Sequence, residues 1–113
     1  MPFTKAHVSD AASVLPDDVK GEMWMLRDEL DTDALGFSVL ALEREEVTKS
    51  HAHVEDDQEE IYYVVEGGVD VVVGDRRVGL EEDEALRISP EEERQIQNRD
   101  HFSQLVLVSA SVE

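Results

Sequence analysis

The stretch Gln58-Glu59-Glu60-Ile61-Tyr62-Tyr63-Val64-Val65-Glu66-Gly67-Gly68-Val69-Asp70-Val71-Val72-Val73-Gly74-Asp75 decides the fold. Its two runs of β-branched and aromatic residues each close on a turn pair, Gly67-Gly68 and Gly74-Asp75, which is how strands joined by tight turns read. The rhythm continues through Val78 to Leu80, Ala85 to Ile88, Gln95 to Gln97 and Leu105 to Val108. Those runs are bounded by Glu81 to Glu84, Pro90, and Asn98 to Asp100. Strands this short and evenly spaced, with no helical period between them, predict an all-β sandwich or barrel.

Upstream, Met23 to Leu26 and Phe37 to Leu42 are apolar enough for strands and are separated by the acidic stretch Asp28 to Asp33. Nearer the start the signals are mixed. Phe3 to Val8 fits a short strand, and Ser9 fits the cap of a brief helix that must stop before Pro16. At most one or two short helices are expected, all before residue 50. With 113 residues, 41% of them hydrophobic, the chain fills one core and leaves nothing for a second domain.

Charge narrows the partners. There are 28 Asp and Glu against 10 Lys and Arg, a formal charge of −18, so nucleic acid and anionic membrane surfaces repel the chain. The acids are scattered through every segment, whereas a nucleic-acid mimic would gather them on one face. That distribution points to halophilic adaptation, because concentrated salt shortens the Debye length to about 3 Å at 1 M and screens the self-repulsion. No apolar run approaches the roughly 20 residues that span a bilayer, and Met1 to Ala6 has no signal-peptide character. A soluble, cytoplasmic protein is expected. Cysteine is absent, so any metal must take nitrogen or oxygen ligands.

Such ligands stand together at His51-Ala52-His53, a few residues before the central strand. Residues two apart in an extended chain point the same way, so the two histidines share a face and reach one ion together. On the strand from about Gln58 to Glu66, Glu60, Tyr62 and Val64 share one face, and Glu59, Ile61, Tyr63 and Val65 share the other. One glutamate of the adjacent pair therefore faces the pocket.

These residues resemble the first motif of the cupin family, a His-x-His pair followed by a glutamate, six residues and a glycine. The resemblance runs from about Phe37 to Val108. It implies a small antiparallel double-stranded β-helix, or jelly-roll barrel, over 37–108, with 1–36 supplying an N-terminal extension and the first strands. Counting back from Gly67 selects Glu60. The six residues Val54 to Glu59 exceed the family's three or four, an excess that a loop absorbs more easily than a strand does. Glu45 stands where the family usually has a glycine. His51, His53 and Glu60 then form a two-histidine, one-carboxylate site for one divalent transition metal; the set suits Fe(II), and Mn, Ni, Zn or Cu would also fit. His7 and His101 lack such company and read as surface residues.

The family's second motif supplies a further histidine four residues before an asparagine. Counting back from Asn98 puts Arg94 there, whereas counting forward from Pro90 puts Gln95 there. The first count is preferred because a turn absorbs a residue more easily than a strand. On either count the histidine is missing, and a guanidinium stays charged and does not ligate metal. Alternation agrees: Arg94, Ile96 and Asn98 share a face, and Ile96 is the only apolar residue of the strand, so Arg94 points inward. It either pairs with Glu60 in the metal's place or, with Tyr62, contacts an anionic ligand. The pair of same-facing histidines favours the metal-bearing case.

Two functions follow. One is a small-molecule-binding cupin acting as a metal-dependent enzyme of dioxygenase or isomerase type. The other is a non-catalytic binding module or sensor for a small anionic ligand, without metal. No nucleophile with a base beside it, phosphate-cradling loop or nucleotide fingerprint is present. The resemblance also implies a homodimer, which would cover exposed sheet edges.

Overall fold

The computed structural model describes residues 2–16, 19–53 and 57–112. Among the described residues, eight strands form two antiparallel sheets: β1 (Glu22–Met25), β2 (Gly36–Leu42), β3 (Gln58–Glu66), β4 (Gly68–Val73), β5 (Arg76–Glu81), β6 (Ala85–Ile88), β7 (Arg94–Asn98) and β8 (Ser103–Ser111). Five of them lie in the order β1-β2-β8-β3-β6 and three in the order β5-β4-β7. From β3 the chain crosses to the smaller sheet for the hairpin β4–β5, returns for β6, crosses again for β7 and returns for β8, which is the jelly-roll barrel that the resemblance implies and a case of the sandwich or barrel expected from the strand spacing.

The passage from β3 to β4 needs glycine. Gly67 has φ +85, and a Cβ there would stand 2.6 Å from the Phe102 carbonyl oxygen. Both the handedness and the close approach exclude a side chain. At Glu45 the same backbone region is occupied by a glutamate with φ 61. The family preference for glycine at that position thus has a backbone cause, which this chain meets at the cost of strain.

Alternation puts the core where the sequence suggests. On β3, Glu60, Tyr62 and Val64 are buried while Ile61, Tyr63 and Val65 are exposed. Leu40, Leu42, Val64, Leu105 and Leu107 from the larger sheet meet Val69, Val71, Leu80 and Ile96 from the smaller one. β3, β7 and most of β8 bury every second residue, whereas β2 buries Ser38 to Leu42 in a row.

The N-terminal expectations need correction. No strand forms over Phe3 to Val8, and the first helix is a 3-10 turn, η1 (Val8–Asp10), capped by His7 rather than Ser9. The His7 ring accepts from the Ser9 amide at 3.1 Å while the Asp10 carboxylate accepts from the His7 amide at 2.8 Å. That reciprocal pair fixes the turn two residues earlier than serine capping would. A one-turn helix, α1 (Arg27–Leu30), leads into the acidic stretch and ends on Asp31 in the left-handed region. Part of the expected loop between His53 and β3 lies outside the described residues; Asp57, at φ 50, leads into Gln58.

Candidate functional site

The segment that carries the histidines runs antiparallel to β7, on the side away from β4. His51 and Arg94 exchange both backbone hydrogen bonds, at 3.0 and 2.8 Å. The bridges Val47↔Gln97 and His51↔Arg94 differ by one residue in register, so the segment carries one extra residue over that span. It brings the His51 side chain to the same face as Arg94. From the opposite sheet Glu60 faces inward on β3, where it pairs with Ile88 and Ser109.

All these groups converge on one carboxylate oxygen. Glu60 Oε1 lies 3.8 Å from His51 Nε2, 3.4 Å from His53 Nε2 and 2.6 Å from Arg94 Nη1. The Tyr62 hydroxyl donates to the same oxygen at 3.2 Å. The histidine rings meet edge to face, with centroids 5.1 Å apart. Arg94 is completely buried and each of its nitrogens has an acceptor: Nη1 donates to Glu60, Nε to the Glu92 carbonyl and Nη2 to the Ser89 carbonyl. Arg94 is therefore inward, as alternation predicts, and Gln95 is not buried.

The electrostatics follow from that geometry. Burial disfavours the Glu60 charge, but hydrogen bonds from His51 and Arg94 and the charges of His53 and Arg94 outweigh it, holding the carboxyl below its ordinary value. The hydrogen bond to Glu60 raises the His51 pKa against partial burial and the neighbouring Arg94 charge. Burial, together with the Glu60 charge, pushes the Tyr62 hydroxyl well above its usual range, so it remains a donor at ordinary pH.

Does this set fit a divalent ion? The ligand atoms of His51, His53 and Glu60 all lie within 4.8 Å of one another, and two imidazoles with a carboxylate are a sound donor set. The fourth family position does not fit. The Arg94 guanidinium spends a lone pair of Glu60 Oε1 and puts a full positive charge where a cation would sit. His7 and His101 are exposed and far in role from this cluster: His7 caps η1 and His101 contacts the Phe102 carbonyl.

Beside the cluster lies a cavity of about 550 Å³. Its walls are mostly aliphatic, with Leu40, Leu42, Ile96 and Leu107 from the sheets and Val14 to Pro16 from the N-terminal extension. His51 and Tyr62 belong to both cavity and cluster, so they form the shared wall. The N-terminal wall was not foreseen, because Val14 and Leu15 carry no periodic signal. The sequence places Asn98 at the motif end and on one face with Arg94 and Ile96, but gives no role to its side-chain amide, which donates to the carbonyls of Leu42, Glu43 and His101 and ties β7 to the end of β2 and to the loop before β8. Among the described residues, no helix is long and apolar enough to cross a membrane.

Comparison with known proteins agrees with this architecture. The cupin domain family matches residues 39–110. A cupin protein from Bacteroides fragilis superposes with a TM-score of 0.80 at 22% identity, over 99% of this chain and 86% of that one. A predicted oxalate decarboxylase from Thermotoga maritima gives 0.78 at 16% identity, over 96% and 100%. The polyketide cyclase RemF from Streptomyces resistomycificus gives 0.78 at 18% identity, over 97% and 80%. No curated protein matches the sequence. The jelly roll, the clustered His51-His53-Glu60 group and the match over 39–110 place the chain in the cupin family.

Proposed function

We infer that this cupin binds a small, largely apolar molecule with an acidic end group, and that a buried ion pair rather than a metal organises the polar end of its site. The observation that carries this reading is the Arg94–Glu60 contact at 2.6 Å beside an aliphatic cavity of about 550 Å³. That volume lies within the range of small-molecule pockets. His51, with its raised pKa, and Lys49 at the rim supply positive charge for the end group, while the aliphatic walls take the rest. Arg94 positions Glu60, which in turn orients Tyr62 and the two imidazoles. The scattered acids support a salt-rich cytoplasm as the working environment.

The proximity of the His51, His53 and Glu60 ligand atoms favours a second reading. In it the three residues hold a transition metal that acts as a Lewis acid or oxygen carrier in a dioxygenase or isomerase. Among the structural neighbours are a predicted oxalate decarboxylase and a polyketide cyclase, so the fold accommodates enzymes. Metal analysis of protein purified without chelator separates the readings. Well under one metal per chain is expected, with Arg94→His raising it towards one. About one Fe, Mn, Ni, Zn or Cu per wild-type chain would carry the enzyme reading instead. For the ligand, octanoate should raise the melting temperature of the wild type more than octanol does. Val47→Trp, at the cavity rim, should abolish the effect.

A further inference from the structure

The aliphatic cavity has two lips of unequal strength. Val14 and Val47 both line it and are both 54% exposed, so they flank its mouth, one on the N-terminal extension and the other on the segment before His51. The segment carrying Val47 is stitched to β7. The Asn98 backbone amide donates to the Glu46 carbonyl at 2.8 Å, the Thr48 amide to the Ile96 carbonyl at 2.9 Å, and Gln95 Nε2 to the Thr48 carbonyl at 3.0 Å, besides the His51–Arg94 pair.

The N-terminal lip is held more loosely. Among the described residues, 13–16 meet the free edge of β1 through one isolated bridge, Ser13↔Trp24. The Val14 amide donates to the Met23 carbonyl at 2.9 Å, and the Met23 amide donates to Ser13 Oγ at 3.0 Å. None of residues 2–16 is buried, and Leu15 is the side chain of this stretch that packs on the core.

We propose that residues 13–16 are a strap that swings off β1 to admit the ligand and closes Val14 towards Val47 behind it, an inference that rests on the binding reading above. The remaining walls are less free to move. Leu40, Leu42 and Leu107 sit on β2 and β8, strands with a neighbour on each side, and Ile96 sits on β7 between β4 and the stitched lip. Moving any of them breaks a ladder, whereas lifting the strap breaks two hydrogen bonds and withdraws one half-buried leucine. Segments with few hydrogen bonds and little buried apolar area open first. The open mouth leaves two valines in water beside an apolar cavity, and an apolar ligand gives the strap a surface to close on. Such a ligand binds the closed form more tightly, because Val14 and Leu15 touch it only there, and so shifts the population towards closure. Ser13 is the positioning residue: it lines no part of the cavity, yet its hydroxyl accepts a bond that holds the strap on β1.

Amide hydrogen exchange followed by NMR, with and without octanoate, tests the strap. In free wild type the Val14 and Met23 amides should exchange about tenfold faster than those of Thr48 and His51 on the opposite lip. Saturating octanoate should slow the first pair by about tenfold and the second pair by less. Ser13→Ala should weaken octanoate binding about fivefold in calorimetry, and Ser13→Thr, which keeps the hydroxyl, should bind like wild type. Equal exchange on the two lips of the free protein overturns the strap, and so does Ser13→Ala binding octanoate as tightly as wild type. Octanoate that raises the wild-type melting temperature without slowing Val14 and Met23 overturns the strap but not the binding reading. Octanoate that leaves the melting temperature unchanged overturns the binding reading and closure with it. Should Ser13→Ala fail to fold, the exchange measurements on wild type decide the matter.

Discussion

The two sheets share one core but treat water in opposite ways on their outer faces. The three-stranded sheet turns Asp70, Arg77, Gln95 and Gln97 outward and laces them together: Arg99 bridges Asp70 at 2.9 Å and Glu81 at 2.7 Å, and Arg77 donates to Gln97 at 2.7 Å. The five-stranded sheet turns Ile61, Tyr63, Val65, Val106 and Val108 outward and has its only cross-strand ion pair of that face at Glu59–Arg87, among the described residues. Inside, the sheets again differ, one supplying the anion Glu60 and the other the cation Arg94. The smaller sheet thus uses charge to hold itself together, while the larger one uses apolar area that a single chain leaves uncovered. Period-2 alternation identifies the inward side in both, but not what the outward side will meet.

The sharpest way to break this arrangement is to remove one of the two inward charges. Glu60→Ala strands a fully buried guanidinium and should cost about 3–5 kcal/mol in urea unfolding. Glu60→Leu combined with Arg94→Met should recover most of that loss, because an ion pair replaced by packed apolar groups is often neutral or stabilising. A double variant no more stable than Glu60→Ala would show that the sheets are joined by more than this pair. Wild-type melting temperature should also climb between about 0.1 M and 2 M KCl, over which the Debye length falls from ~10 Å to below ~3 Å. A flat profile would refute the halophilic reading of the −18 charge.

The outer network of the smaller sheet should contribute less. Arg99 is partly exposed, so Arg99→Ala should cost about 1 kcal/mol at low salt, and less at 2 M KCl. Glu45→Gly relieves the left-handed backbone at that position and should stabilise by about 1 kcal/mol, near 4 °C in Tm. The smallest effect concerns His51. Its pKa lies above 6.5, so its charged ring stabilises the fold fully below that value, and the contribution disappears as pH rises through the folded value. Titration of His51 by NMR should show that raised value in wild type and a return towards 6.5 in Glu60→Gln.

Much of this was legible beforehand. The strand runs from Phe37 onward and the inward direction of Arg94 follow from a period of two, which survives any tertiary context that buries one face; the same period puts one of Glu59 and Glu60 inward, and the motif count from Gly67 selects Glu60. The start of the chain was not legible. Its capping box uses a histidine and an aspartate that compete locally with serine, and Val14 and Leu15 acquire meaning only against the cavity they close.

By itself, then, the sequence determined the strands, their faces and the cluster of chemistry-bearing residues, because those depend on near neighbours and on alternation along one strand. Tertiary structure alone decided that Arg94 meets Glu60, two residues 34 positions apart, and not an open pocket. It also decided that His51 and Tyr62 divide a polar cluster from an aliphatic cavity, and that the outward rows of β2, β3 and β8 merge into one apolar face. Each of these depends on which strands lie side by side and which sheet faces which, and no local pattern in the chain encodes that pairing.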